Sequence, residues 1–483
     1  MLTYELKKSP GVPLYEALYR CIRQDILSGV LTAGQKLPSK RALAANLEVS
    51  KITVEGAYEQ LLAEGYIRSE EKIGYFVEPL APLQVSTGPL PPSLREGDRE
   101  AVEGVSRTTN VTPPVTAFAV PAPSERGPGL APIDLTSNTP VSFPFSVWTK
   151  LQREVILDLE RQLLRPLPNR GTWELRRAIS RHLLDFRGLR VDPQNILIGA
   201  GTDFLYNLLI QLLGRDKTYA VEEPGYSKIR KIYAAGGVQC VSAAMDGQGV
   251  LPPAQAQVLH ISPSHHFPTG LVTPLQRRQE LLRWVRQDSA RCIIEDDYDS
   301  EFRFDAHPVS AMASLDPERV IYMNTFSKTL APSIRISYMV LPKRLMEQFQ
   351  GKLGFYSCTV PSFEQYTLAR FLERGYFEKH INRMRKAYRL LRDHVIRLLR
   401  SFPAFTLTEQ DAGLHFLVKV DTALSDEALK QAFWEADIRV SCLSDYYHDA
   451  VPEEAAGQLV VNYSGLTDQA LLRLQAALKE VSL

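Results

Sequence analysis

Asn324-Thr325-Phe326-Ser327-Lys328-Thr329-Leu330-Ala331-Pro332-Ser333-Ile334-Arg335 is the segment on which the reading of this 483-residue chain turns. It lies between Arg319-Val320-Ile321-Tyr322-Met323 and Ile336-Ser337-Tyr338-Met339-Val340-Leu341, apolar runs that predict buried strands. A lysine flanked by hydroxyls and followed seven residues on by an arginine has two readings. One is a surface loop with two solvated cations. The other is chemical: an amine in a partly dry pocket loses proton affinity and can condense with a carbonyl. The arginine's planar, always-charged fork suits a phosphate. Together, Lys328 and Arg335 describe a site for a cofactor carrying both an aldehyde and a phosphate, which is pyridoxal 5'-phosphate (PLP).

The chain is 45% hydrophobic and 23% charged, so it can bury a large core, and its length predicts two to four domains. A net charge of +1 argues against a strongly polyanion-binding surface overall, while leaving a local patch open. The five cysteines (Cys21, Cys240, Cys292, Cys358 and Cys442) are scattered without metal-ligand spacing, as a reducing compartment permits. MLTYELKKSP carries no signal-peptide pattern, and the most apolar stretch, Phe204 to Leu213, is too short to span a bilayer. A cytoplasmic protein with no membrane partner is expected.

Working back to the N-terminus, Leu14 to Leu27 has helical spacing at Leu14, Leu18, Ile22 and Ile26. Ser39 is placed to cap a second helix, and a third is expected from Thr53 to Glu64 after a turn at Val49-Ser50-Lys51. Tyr66-Ile67-Arg68 and Tyr75-Phe76-Val77 read as a hairpin around Glu70 to Gly74. Three helices and a hairpin are the layout of a winged helix-turn-helix, which puts its third helix in the major groove of double-stranded DNA. The stretch PLYEALYRCIRQDILSGVLTAGQKLPSKRALAANLEVSKITVEGAYEQLLAEGYIRSEEKIGYFVEP resembles the GntR family of bacterial transcription regulators. The resemblance implies DNA contacts from Ser39 and Arg41, from Ser50, Lys51 and Thr53, and from the wing glycine Gly74. Ten Lys/Arg balance ten Asp/Glu in residues 1–78, and Glu55 stands where many relatives carry a cation. Weak, salt-sensitive half-site binding strengthened by dimerisation is therefore expected.

Eleven prolines crowd residues 79–132 without helical or strand period, which predicts an extended tether. From 133 to 483 strands and helices alternate, predicting a doubly wound, mostly parallel sheet covered on both faces. Ligands in such sheets sit beyond the carboxyl ends of strands, and the remaining motifs fall there. Gly199-Ala200-Gly201-Thr202-Asp203 joins a strand to a helix whose N-terminus offers free N–H groups to a phosphate, although glycines also serve such turns for geometry alone. Glu222-Glu223-Pro224-Gly225-Tyr226 ends another strand with an aromatic that either stacks on a planar ring or joins the core. Glu295-Asp296-Asp297-Tyr298-Asp299 offers an acid for a protonated ring nitrogen and a phenol for a ring hydroxyl. Three aspartates also suit Mg²⁺, but that reading leaves Lys328 without a role, so no metal is expected.

In order, the glycine turn, EEPGY, SHHFPTG, EDDYDSEFR and TFSKTLAPSIR resemble the fold-type I aminotransferases. Joined to a GntR head, they resemble the MocR group of PLP-dependent regulators, which includes the GabR and PdxR types. The resemblance implies a Schiff base at Lys328, Asp296 on the pyridine nitrogen, Tyr298 on the 3-hydroxyl and Tyr226 stacked on the ring. It assigns the phosphate to Gly201, Thr202, Thr325 or Ser327, and Arg335. Two departures stand out: Phe267 replaces the asparagine that precedes Pro-Thr-Gly in ordinary aminotransferases, and Asn462 stands where many keep a carboxylate-binding arginine. Arg439 and Lys228 are the substitute candidates. Thr367 to Arg400 reads as one long helical stretch with Arg383, Arg385, Lys386, Arg389 and Arg392 on a solvated face, and a small α/β subdomain is expected over about 375–483.

The expected protein is a homodimeric PLP-dependent transcription regulator, with a head-to-tail domain-swapped dimer as one arrangement. PLP or an amino-compound effector bound at Lys328 would control how the heads engage operator half-sites. The alternative is an active aminotransferase with an accessory DNA-binding head.

Overall fold

In the computed structural model the described residues are 4, 14–47, 49–63, 66–70, 73–78, 131–137, 142–302, 310–408 and 413–481. The proline-rich stretch expected as a tether thus lies almost wholly outside them. The head is built from α1 (Leu14–Leu27), β1 (Lys36–Leu37), α2 (Lys40–Asn46), α3 (Lys51–Ala63), β2 (Ile67–Glu70) and β3 (Gly74–Val77). Leu18 and Ile22 of α1, Leu43 of α2 and Val54, Ala57, Tyr58 and Leu61 of α3 form its core. Helix α3 starts two residues before the expected Thr53. The Ser50 hydroxyl accepts the Thr53 N–H at 3.1 Å, so Ser50 is the cap and Lys51 is already helical. β2 and β3 form the wing, and β1 pairs with β3 as a third antiparallel strand. Two residues carry no period, so β1 is invisible to pattern reading.

The chain resumes with β4 (Ile133–Asp134), α4 (Phe145–Leu163, kinked at Glu160) and α5 (Trp173–Arg187). Then β5 (Ile196–Gly199), α6 (Thr202–Leu213), β6 (Thr218–Glu223), α7 (Ser227–Ala235), β7 (Gln239–Asp246), β8 (Gly249–Val250), β9 (Val258–Ile261), α8 (Leu275–Arg286) and β10 (Cys292–Asp296) alternate. The region closes with α9 (Met312–Leu315), β11 (Val320–Thr325), α10 (Phe326–Thr329), β12 (Ser337–Val340) and α11 (Lys343–Leu353). Eight strands form one sheet in the order β5-β12-β11-β10-β9-β6-β7-β8. The pairs among β7, β6, β9, β10 and β11 are parallel, whereas β12 runs antiparallel to both β11 and β5. The sheet is therefore mixed at that side: the short connection after β11 has no room for a crossover helix that would return the chain parallel.

Alternate side chains fill two separate cores, as the pleat requires. Ile293, Val320 and Tyr322 point to the face covered by α5, α8 and α12 (Ser362–Glu373). Ile294, Ile321 and Met323 point to the face covered by α6, α7 and α11. The expected single helix over Thr367–Arg400 is two, α12 and α13 (Tyr376–Arg400), divided at Gly375 with φ +69°. The basic run on α13 is not a uniformly solvated face, since Arg392 is buried and Arg385 donates to the Glu301 carbonyl at 2.5 Å. Last come β13 (Phe405–Thr408), β14 (His415–Val420), α14 (Asp426–Glu435), β15 (Ile438–Arg439), β16 (Gln458–Asn462) and α15 (Asp468–Ala477). β13, β14 and β16 form a small antiparallel sheet, and β15 pairs with β4. No helix of the described residues is long and apolar enough to cross a membrane.

Candidate functional site

The carboxyl ends of β5, β6, β10 and β11, with the segments that follow them, carry the sequence-predicted body residues apart from Arg439, as the sheet topology favours. Lys328 sits on the single turn α10 directly after β11. It is half-buried, and burial pulls its ammonium below the ordinary lysine value, opposed by Asp299 and Asp296. A lysine in this state is closer to a free amine than a solvated one, which is what condensation with a carbonyl requires.

Asp296, the last residue of β10, is 5% exposed and braced from one side. Its Oδ2 accepts the Tyr206 hydroxyl at 2.5 Å and lies 3.5 Å from His260 Nε2, while the Tyr233 hydroxyl meets His260 Nδ1 at 2.7 Å. Its Oδ1 has no hydrogen-bond partner among the described residues. A buried, fixed carboxylate oxygen with no partner is an acceptor prepared for a donor outside the chain, such as a ring N–H. The Tyr298 hydroxyl is 3.3 Å from His265 Nδ1, and burial raises its pKa well above the ordinary tyrosine value. Tyr226 is 49% exposed, with its ring edge-on to Phe267.

The corner expected to take a phosphate is built around one close approach. Gly201 caps α6 at φ 89°, ψ 164°, and a Cβ there would fall 2.2 Å from Arg335 Nη2. The guanidinium therefore lies across the first turn of α6, where the helix offers N–H groups at Thr202 onward. Arg335 itself is in the left-handed region, φ 51°, and donates to Asp203 at 3.3 Å. Ser327 Oγ has no partner among the described residues. Thr325 differs: its hydroxyl accepts from Ser327 N–H at 3.1 Å and from the Ser337 hydroxyl at 2.7 Å, so it shapes the turn. The open carboxylate oxygen, the open hydroxyl and the guanidinium over a glycine cradle fit the cofactor expected from the sequence.

Lys228 joins the same corner, 2.7 Å from Asp203. Arg439 sits on β15, half-exposed and 3.9 Å from Asp134. Asn462 Oδ1 accepts from Ser464 and pairs in register with the buried His415. Phe267 packs against His415, Tyr226 and Tyr446. Of the two departures from the aminotransferase pattern, Phe267 thus joins an aromatic cluster, and Asn462 is held by Ser464. Among the described residues no cluster of His, Cys, Asp and Glu could hold a metal.

Tyr206, Tyr233 and His260 were missed from sequence. The one available signal was His260, a lone polar residue in the buried run Val258-Leu259-His260-Ile261.

In the head, Arg41, Ser39, Ser50 and Lys51 are exposed along α2 and the start of α3. The Ser39 hydroxyl caps α2, and Ser50 and Thr53 share a 2.8 Å hydroxyl contact. Gly74 opens β3 at φ 135°, where a Cβ would approach Lys36 to 3.1 Å. Glu55 is taken by Lys40 at 2.7 Å, so each neutralises the other.

Residues 14–77 match the family of bacterial regulatory proteins, gntR family. The chain is 34% identical to an HTH-type transcriptional regulator, YhdI, of Bacillus subtilis (strain 168), over 97% of this chain and 95% of the relative. It is 31% identical to the probable rhizopine catabolism regulatory protein MocR of Rhizobium meliloti, over 95% and 92%. A kynurenine aminotransferase of Pyrococcus horikoshii superposes with a TM-score of 0.63 at 23% identity, covering 73% of this chain and 91% of that one. That structural likeness shows the fold-type I aminotransferase architecture of the body, and the gntR match implies DNA binding by the head. This chain therefore belongs to the MocR group of HTH-type transcriptional regulators, in which a GntR-type winged helix is joined to an aminotransferase-like body.

Proposed function

We propose that this regulator holds PLP covalently on Lys328 and that occupancy of this pocket, by PLP alone or with an amino-compound effector, sets how its heads engage operator DNA. The observation that carries the reading is the buried Oδ1 of Asp296, which has no hydrogen-bond partner among the described residues while Oδ2 is held by Tyr206 beside His260. When bound, PLP supplies an aldehyde that captures amines and an electron-accepting ring. In this reading Asp296 takes the ring N–H, Tyr298 faces the ring hydroxyl and Tyr226 covers the ring. Gly201, Thr202, Ser327 and Arg335 take the phosphate, with Thr325 fixing the turn. Each charge-assisted bond is worth roughly 1.5–3 kcal/mol, so the set supports tight retention.

Lys228 is the better-placed cation for an acidic group on an effector, since it shares Asp203 with Arg335. A cleft of about 370 Å³ beside Tyr226, lined also by Arg230 and Tyr446, gives such a molecule room. On the head, Arg41, Ser50, Lys51, Thr53, Ser39 and Gly74 would meet the DNA. Two heads on a homodimer would read paired half-sites. The test is borohydride reduction of PLP-loaded protein followed by peptide mass analysis. Fixation of the cofactor on the peptide carrying Lys328 is expected, and fixation elsewhere or none would overturn the assignment.

A further inference from the structure

The strand that ends at the proposed ring site also anchors the surface on which the head rests. Three consecutive acids close β10 or follow it, each facing a different neighbour. Asp296 faces the ring site. Glu295, fully buried, accepts the N–H groups of Met312 and Ala313 at 2.8 and 2.9 Å and so pins the start of α9. It also lies 4.0 Å from Arg278, which donates to the Ser310 carbonyl at 2.7 Å. Asp297, equally buried, holds Arg187 at 2.9 Å, and Arg187 immediately precedes Gly188.

The head touches those same places. Arg23 of α1 reaches the Ser314 hydroxyl on α9 at 3.4 Å, and a Cβ on Gly188 would come within 3.2 Å of its guanidinium. The Tyr66 hydroxyl reaches Ser310 at 3.5 Å, and Arg20 donates to the Asp185 carbonyl at 3.1 Å. Arg23 also ties the head to itself, donating to Tyr66 at 3.3 Å. Helix α1 lies directly behind the DNA-facing helix, since a Cβ on Gly56 of α3 would meet the Tyr15 ring at 3.3 Å. A cleft of about 240 Å³ separates the two bodies beside these contacts, with Tyr15, Arg23, Arg187 and Arg385 among its walls.

Two of these crossing bonds join an arginine to a neutral oxygen, and the third, Tyr66 to Ser310, joins two hydroxyls. Such bonds are a grip that a bound ligand can outweigh.

We propose that Gly188, Ser310 and Ser314 form a docking platform for α1 and Tyr66 of the same chain, and that this latch, fixed through Glu295 and Asp297 to the strand carrying Asp296, transmits pocket occupancy to the head. The proposal rests on PLP binding at Lys328. A ligand that shifts β10 relative to α5 and α9 changes the fit of the platform, and thereby the free energy of the docked head.

The test uses full-length protein, with two readouts: the visible absorbance of bound PLP, and the ratio of DNA Kd values without and with PLP. In Arg23→Ala the absorbance is expected to match wild type while the ratio collapses towards one. Ser314→Lys, which sets a cation against Arg23, is expected to do the same from the body side. The pair Arg23→Glu with Ser314→Lys is expected to restore at least half of the wild-type ratio on a logarithmic scale. An unchanged ratio in both single variants, with absorbance retained, would sink the latch alone. Wild-type protein without the absorbance would sink the cofactor reading and the latch with it.

Discussion

Gly201→Ala is the sharpest probe of the phosphate corner, because one methyl group acts there in two separable ways. The backbone at φ 89°, ψ 164° lies in a region open essentially to glycine, so alanine costs about 1–3 kcal/mol of stability. The new Cβ would stand 2.2 Å from Arg335 Nη2 and 2.5 Å from Cζ, so the guanidinium must swing out. Arg335 is half-exposed and flexible enough to do so. The displaced arginine forfeits its charge-assisted bond to the phosphate, roughly 1.5–3 kcal/mol, or a PLP Kd weaker by about 10- to 150-fold. Arg335→Ala removes the same bond without the backbone strain. The two variants are expected to weaken PLP binding alike, and the double variant to be little worse than either, since both delete one interaction. Spectral titration gives the Kd values and thermal unfolding the stability. Additive losses of affinity, or wild-type affinity in Gly201→Ala, would refute the placement of Arg335 on the phosphate.

Tyr206→Phe removes the hydroxyl that braces Asp296 Oδ2, and the loss of a buried bond to a carboxylate of about 1.5–3 kcal/mol is expected as a lower unfolding midpoint together with a shifted cofactor absorbance maximum. Glu222 is largely buried, and desolvation pushes its carboxyl from 4.5 up to about 8, so the native state keeps a proton that the unfolded chain has lost. Its contribution to stability is full below pH 4.5 and falls as pH rises towards 8; urea unfolding across that window is expected to show a flatter slope in Glu222→Gln. Arg41→Ala and Lys51→Ala are expected to weaken DNA binding across sequences and each to reduce the log Kd against log salt slope by about 1, read by fluorescence anisotropy at several salt concentrations.

How far the sequence could be read depended on how locally each feature is encoded. The start of α6 was legible, because the glycine turn ending at Gly201 separates a β-branched strand from an apolar helical run. The placement of Lys328 and Arg335 between β11 and β12 was legible because both fall in one short connection between two apolar runs. The start of α3 was missed because a serine that caps a helix and a serine in a turn look alike until the Thr53 N–H is seen to reach it. The division of α12 from α13 turns on the positive φ of Gly375, which a basic, helix-favouring run conceals. The antiparallel direction of β12 is set by the shortness of its connection, not by composition. The brace on Asp296 was out of reach for a different reason. Tyr206, Tyr233 and His260 come from α6, α7 and β9, and only the packed sheet brings them together. Arg385 and Arg392 read as solvated because charge pattern on one helix says nothing about what packs against it.

A cofactor on Lys328 that governs DNA recognition by the head is tested most directly by the DNA-binding isotherm of wild type and Lys328→Ala, each with and without PLP. In wild type, PLP is expected to move the DNA Kd by about 5- to 150-fold, the range of an ordinary coupling free energy; in Lys328→Ala, DNA binding is expected to persist and the shift to vanish. An equal shift in both proteins, or none in wild type carrying bound PLP, would contradict the account.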